Sequence, residues 1–190
     1  MAFTLPNKDV LQRLGTDLGM QIDDSQADEM LAVMQPMVAG FRLIERLPDE
    51  PLATNHPRTP GRRPDPVENP LGAWAVMTDI RGASEGPLAG KRIAIKDNTA
   101  IAGVPMMNGA SVLEGYVPDG DATIVSRILD AGGHIVGKSV CEYFSFAGGS
   151  ATSATSPVIS PRNPGHTPGG SSTGSAALLA NGDVDLAIGA

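Results

Sequence analysis

Apolar positions recur at helical spacing through the first quarter of the chain. Val10, Leu11, Leu14 and Leu18 share one face, with Asn7 placed to cap them. Ser25, followed three residues on by Asp28, resembles a capping box. Behind it Met30, Leu31, Met34, Met37, Val38, Phe41 and Ile44 continue the helical period. Pro36 lies inside this run and is expected to kink or split the helix. The methionines read as packing groups rather than ligands. An amphipathic pair this small must bury its stripe elsewhere, on the main domain or on a second copy, and we expect a homodimer through the N-terminal helices.

The periodicity then stops. Residues 49–70 carry Pro51, Pro57, Pro60, Pro64, Pro66 and Pro70 with Arg58, Arg62 and Arg63, the composition of an extended, solvated linker. Trp74 marks the return of globular sequence. Arg92-Ile93-Ala94-Ile95 reads as a strand ending at Lys96-Asp97-Asn98. Asp121 is expected to cap a helix with Ala122, Val125, Ile128 and Leu129 on one face, closed by Gly132-Gly133. His134-Ile135-Val136-Gly137 is a second strand, and residues 184–188 a third. Strand, helix, strand in this order argues an α/β core with helices packed on a sheet. The expected organisation is a helical extension over 1–48, a Pro/Arg-rich linker over 49–70 and an α/β domain over 71–190.

Composition narrows the class. With 21 acidic against 14 basic residues the net charge is −7, so no basic footprint points to nucleic acid. Aromatics are only 4%, while glycine numbers 23 and proline 16, which suits an α/β protein with many tight turns. One cysteine, Cys141, excludes an internal disulfide and fits a reducing compartment. It reads as a buried structural thiol. No stretch reaches membrane-spanning length and no signal-peptide pattern opens the chain, so a cytoplasmic location without membrane contact is expected.

The candidate chemistry centres on Gly169-Gly170-Ser171-Ser172-Thr173-Gly174-Ser175, which runs straight into the apolar Leu178-Leu179. A flexible linker is the plain alternative, but the helix begins without a spacer. A Gly/Ser turn opening a helix gathers unpaired N–H groups and hydroxyls in a small volume. The spacing matches a P-loop except that Ser175 stands where the lysine belongs. It also matches a nucleophile elbow with Ser172 at the tip, yet no strand precedes it and no histidine follows. A lysine can activate a serine if it is neutral when it acts, and burial depresses a lysine pKa. Lys96, at the end of an apolar strand, is the candidate. Residue types alone leave open whether it serves as that base or pairs with Asp97.

Lys96-Asp97-Asn98, Ala102-Gly103-Val104-Pro105, Asp121-Ala122-Thr123, Gly137-Lys138, Asn163-Pro164 and Gly169-Gly170-Ser171-Ser172 stand in the order and spacing of the amidase signature family. Val104-Pro105-Met106-Met107-Asn108-Gly109 and the helical extension look most like the amidases associated with nitrile degradation. The resemblance implies a mixed sheet with flanking helices and a Ser–cis-Ser–Lys triad. Lys96 would be the base, Ser171 the bridging serine in a cis peptide with Gly170, and Ser172 a hydrogen-bonding support. Tyr143 falls where the family lines the acyl pocket and binds substrate. Thr173 and Gly149 depart from the commoner glycine and serine at their positions. The implied activity is hydrolysis of a small carboxylic amide to acid and ammonia or amine, without metal or organic cofactor. The alternative is a tRNA-dependent amidotransferase-type subunit releasing ammonia for a partner. In the family the nucleophile belongs to an Asp-x-Gly-Gly-Ser-type loop after a segment like residues 186–190. Nucleophile and oxyanion hole are thus expected outside these 190 residues, and the 190-residue piece alone is expected to be inactive.

Overall fold

The computed structural model describes residues 4–48, 54–149 and 151–190. Two units separate, Met1–Glu50 and Pro51–Ala190.

The first unit is a helical hairpin of α1 (Lys8–Asp17) and α2 (Asp24–Ile44). Asn7 caps α1 as expected, its side chain accepting from the Val10 N–H at 2.9 Å. The capping box of α2 lies two residues earlier than the sequence suggested. Asp23 and Gln26 exchange side-chain-to-backbone bonds, because Gln26 rather than Asp28 occupies the third helical position. Lys8 meets Asp28 at 2.6 Å and Gln12 meets Asp24 at 2.8 Å, so the helices run antiparallel. Pro36 does not split α2; the helix runs through it, forgoing the one hydrogen bond a proline cannot donate. Leu11, Ala27 and Val38 are buried, while Leu14, Leu18, Val33 and Met37 remain exposed.

The second unit holds a four-stranded sheet ordered β1-β3-β2-β4: β1 (Trp74–Arg81), β2 (Arg92–Lys96), β3 (His134–Ser139) and β4 (Leu186–Ile188). Strand β1 runs antiparallel to β3, and β2 is parallel to both β3 and β4. Two helices, α3 (Thr123–Asp130) and α4 (Thr173–Asn181), cover its faces. Alternation along β2 assigns side chains to them. Ile93 and Ile95 join Val125, Ile128 and Leu129 of α3, while Ala94 joins Ala177 and Leu178 of α4. A Cβ at Gly174 would lie 2.4 Å from the Ala73 carbonyl oxygen, so only glycine lets α4 approach the chain entering β1 this closely.

Two expectations are corrected here. Asp121 does not cap α3: the cap residue is Ala122, without a side-chain bond. Its carboxylate instead accepts from the Ala102 N–H at 2.8 Å and pairs with Arg58. The arginines of the proline-rich stretch are therefore not simply solvated charges. Arg58 is nearly buried against Asp121, Arg62 forks onto Glu68, and Arg63 meets Glu114 at 2.8 Å. Arg62 also exchanges two backbone hydrogen bonds with Met77, so this segment lies along the outer edge of β1. Asp49 and Pro51 lie outside the described residues.

Candidate active site

The parallel strands β2, β3 and β4 end together, and α4 begins beside those ends. Crevices outside the carboxyl ends of such strands are where α/β proteins bind ligands. Lys96 is the last residue of β2 and is fully buried. Its Nζ donates to Ser171 Oγ at 2.7 Å and to the Ala190 carbonyl oxygen at 2.7 Å. Burial pushes the Lys96 pKa below the ordinary lysine value, and the Cys141 thiol nearby opposes this in part. Among the described residues no carboxylate bonds this amine; its two acceptors are a hydroxyl and a carbonyl. Lys96 bonds the serine and not Asp97, which pairs with Lys138 instead, Oδ1 to Nζ at 3.0 Å.

Ser171 is held from both sides. The Gly170–Ser171 peptide is cis. The Ser171 carbonyl accepts from the Glu142 N–H at 3.2 Å. A Cβ on Gly170 would lie 2.2 Å from the Gly149 carbonyl oxygen and 3.1 Å from Glu142 Cγ, which closes that position to any larger residue. Ser172, at the head of α4, bonds Ala190 twice, its Oγ donating to the carbonyl at 3.0 Å and accepting from the N–H at 3.1 Å. Behind the lysine, Ser139 and Ser175 share a hydrogen bond of 2.7 Å, and Ser175 donates to the Ile188 carbonyl.

Tyr143 follows Glu142 in a short 3-10 turn, Tyr143–Ser145. Phe144 and Ser145 both adopt positive φ there, at 50° and 56°. The Tyr143 and Phe144 rings meet edge to face at 5.3 Å. With Phe146, Ala147 and Thr152 they line an apolar hollow of about 440 Å³. Cys141 is buried as expected, and burial pushes its thiol up to about 11.

Sequence reasoning missed two groups. Lys138 was visible only as part of a Gly-Lys motif, and its partner could not be read from it. Glu142 is fully buried, its carboxylate bonded to the Thr152 N–H and hydroxyl, with Oε1 unpartnered. Among the described residues no group of His, Cys, Asp or Glu could hold a metal ion, and no helix is long and apolar enough to cross a membrane.

Fold and site together define an α/β protein with a buried lysine–serine pair at the ends of parallel strands. The family model Amidase matches residues 72–190, and the chain belongs to that family. An enantioselective amidase of Rhodococcus rhodochrous is 41% identical over 99% of this chain, helical extension included. A glutamyl-tRNA(Gln) amidotransferase subunit of Haloarcula marismortui is 50% identical over 58% of the chain. Among solved structures, the corresponding glutamyl-tRNA(Gln) amidotransferase subunit of Thermotoga maritima superimposes with a TM-score of 0.59 and 32% identity over 64% of the chain. The chain spans 37%, 26% and 27% of the lengths of these three relatives.

Proposed function

We propose that these residues supply the base and the proton bridge of an enzyme that hydrolyses carboxylic amides. A serine outside the 190 residues attacks the amide carbonyl, and its proton passes to Ser171 Oγ as the Ser171 proton passes to Lys96 Nζ. Collapse of the tetrahedral intermediate returns a proton along the same path to the leaving nitrogen. Water then hydrolyses the acyl-enzyme through the same relay, releasing the acid. The observation that carries this reading is the 2.7 Å bond between a fully buried Lys96, lowered in pKa by burial, and Ser171. Ser172 steadies the chain at Ala190, and Tyr143 lines the apolar hollow that receives the acyl group. The helical extension over 1–48 serves as a dimerisation element, and 49–70 joins it to the α/β domain.

A second reading has its own observation. The greater identity, 50%, is to an amidotransferase subunit, over 58% of the chain. In that reading the same chemistry releases ammonia for a partner. The match of the Rhodococcus enzyme across the helical extension favours the first. Ammonia release from a simple carboxamide by the purified full-length protein, without ATP or a partner, supports the free-standing enzyme. Release only with a partner protein supports the second.

A further inference from the structure

Asp97 and Lys138 form a buried ion pair directly after the catalytic strand end, with side chains 3% and 0% exposed. Strand alternation explains where it lies. Lys96 and Ser139 pair in register and face α4, where Ser139 bonds Ser175. The Asp97 N–H continues the ladder to the Ser139 carbonyl at 3.0 Å, which turns the Asp97 side chain to the opposite face. Lys138, paired in register with Ile95, waits on that face. Asp97 Oδ2 accepts from the Met107 N–H at 3.0 Å, while Oδ1 has the ion-pair contact with Lys138 and no hydrogen bond.

A buried ion pair contributes little net stability over an apolar pair of the same volume. Stability therefore does not account for placing two charges here. The ionisable groups around Lys96 are few. Asp97 directly follows its strand, and Lys138, Cys141 and Glu142 come from β3 and the turn after it. Helix α4 presents hydroxyls, and the chain after β4 presents a carbonyl. Cys141 is a neutral thiol at neutral pH, and the Glu142 carboxylate is bonded to Thr152. Of these groups, Asp97 and Lys138 are the two joined in an ion pair.

We propose that Asp97 and Lys138 are a positioning pair for Lys96, Lys138 neutralising the carboxylate next to it so that no net charge borders the proton-accepting amine. The proposal rests on the reading of Lys96 as the base. A bare carboxylate in this place would hold the proton on Lys96; a bare ammonium would drive it off.

The test follows Lys96 in the full-length protein in two ways, by the pH dependence of kcat/KM on a simple carboxamide and by NMR titration of the ¹³Cε-labelled side chain. Lys138→Met moves the acid limb and the Lys96 titration to higher pH; Asp97→Asn moves both lower. Each shift is about one pH unit, roughly a tenfold change in activity on the limb. The double variant returns both to the wild-type position. If Lys138→Met does not fold, Lys138→Gln and the isosteric Asp97→Asn carry the comparison. Shifts of the same sign in both variants, or an unmoved Lys96 titration, overturn the proposal. Failure of the base reading looks different: Lys96→Met keeps its activity, while the NMR titration in the other variants still reports on the pair.

Discussion

Lys96 Nζ lies 2.7 Å from Ser171 Oγ, a group 75 residues further along the chain. The contact exists because β2 and β4 run parallel and α4, between β3 and β4 in sequence, starts beside their carboxyl ends. Each partner is fixed by backbone, the lysine by its place in the ladder and the serine by Glu142. The pair is therefore assembled by the sheet itself.

Gly170→Ala tests the serine's placement. The added methyl meets backbone at Gly149, which cannot swing aside as a side chain can. We expect the loop to shift Ser171 off Lys96 and amide turnover to fall by about 10²-fold, since a displacement of about 1 Å can cost that much. Steady-state kinetics with a check of the unfolding midpoint measures this; full turnover in a folded variant contradicts it.

The Arg58–Asp121 pair tests how the proline-rich stretch is anchored. Asp121→Ala strands a nearly buried guanidinium and frees the Ala102 N–H. Removing one partner of such a pair is expected to cost about 3–5 kcal/mol in urea unfolding. A loss under about 1 kcal/mol, the range of surface pairs, would mean that Arg58 is solvated after all.

Cys141 gives a pH signature. Its folded value, about 11, lies above its ordinary 9, so its contribution to stability is complete below pH 9 and is lost as pH rises through about 11. Cys141→Ala should remove that part of the alkaline decline. The native thiol should also resist alkylation at about pH 8 and react on unfolding. Rapid labelling of the folded protein would show it exposed.

Lys96 works with the opposite sign. Its folded value lies below 10.5, so between that value and 10.5 the unfolded chain holds more protons and stability rises with pH. The stability of Lys96→Met relative to wild type should therefore be greatest at low pH and shrink as pH climbs towards 10.5. A difference independent of pH would mean that Lys96 is not depressed.

Much of this arrangement was legible in the residues. The strand ending at Lys96 and the glycine-serine turn opening α4 are local patterns, and local periodicity carries them. Strand β1 was not foreseen beyond Trp74, because its burial follows no clean alternation: Gly61 and Arg62 cover part of one edge while Met77 and Thr78 are half-buried. The pairing of Asp97 with Lys138 depends on which face each strand presents. That is a tertiary fact, so adjacency in sequence left Lys96 open as a partner for Asp97. Asp121 misled in the same way, since an aspartate before a helix has a stronger use when an arginine and an orphan N–H lie within reach.

If Lys96 and Ser171 form one proton relay for amide hydrolysis, ammonia release from a simple carboxamide by the full-length protein depends on both. Wild type should release ammonia. Lys96→Met and Ser171→Ala, each shown to be folded, should each lose at least about 10²-fold in kcat, the usual worth of a general acid–base group. The double variant should be no worse than the single ones, because the two groups act as a unit. Turnover close to wild type in either folded single variant would contradict the account.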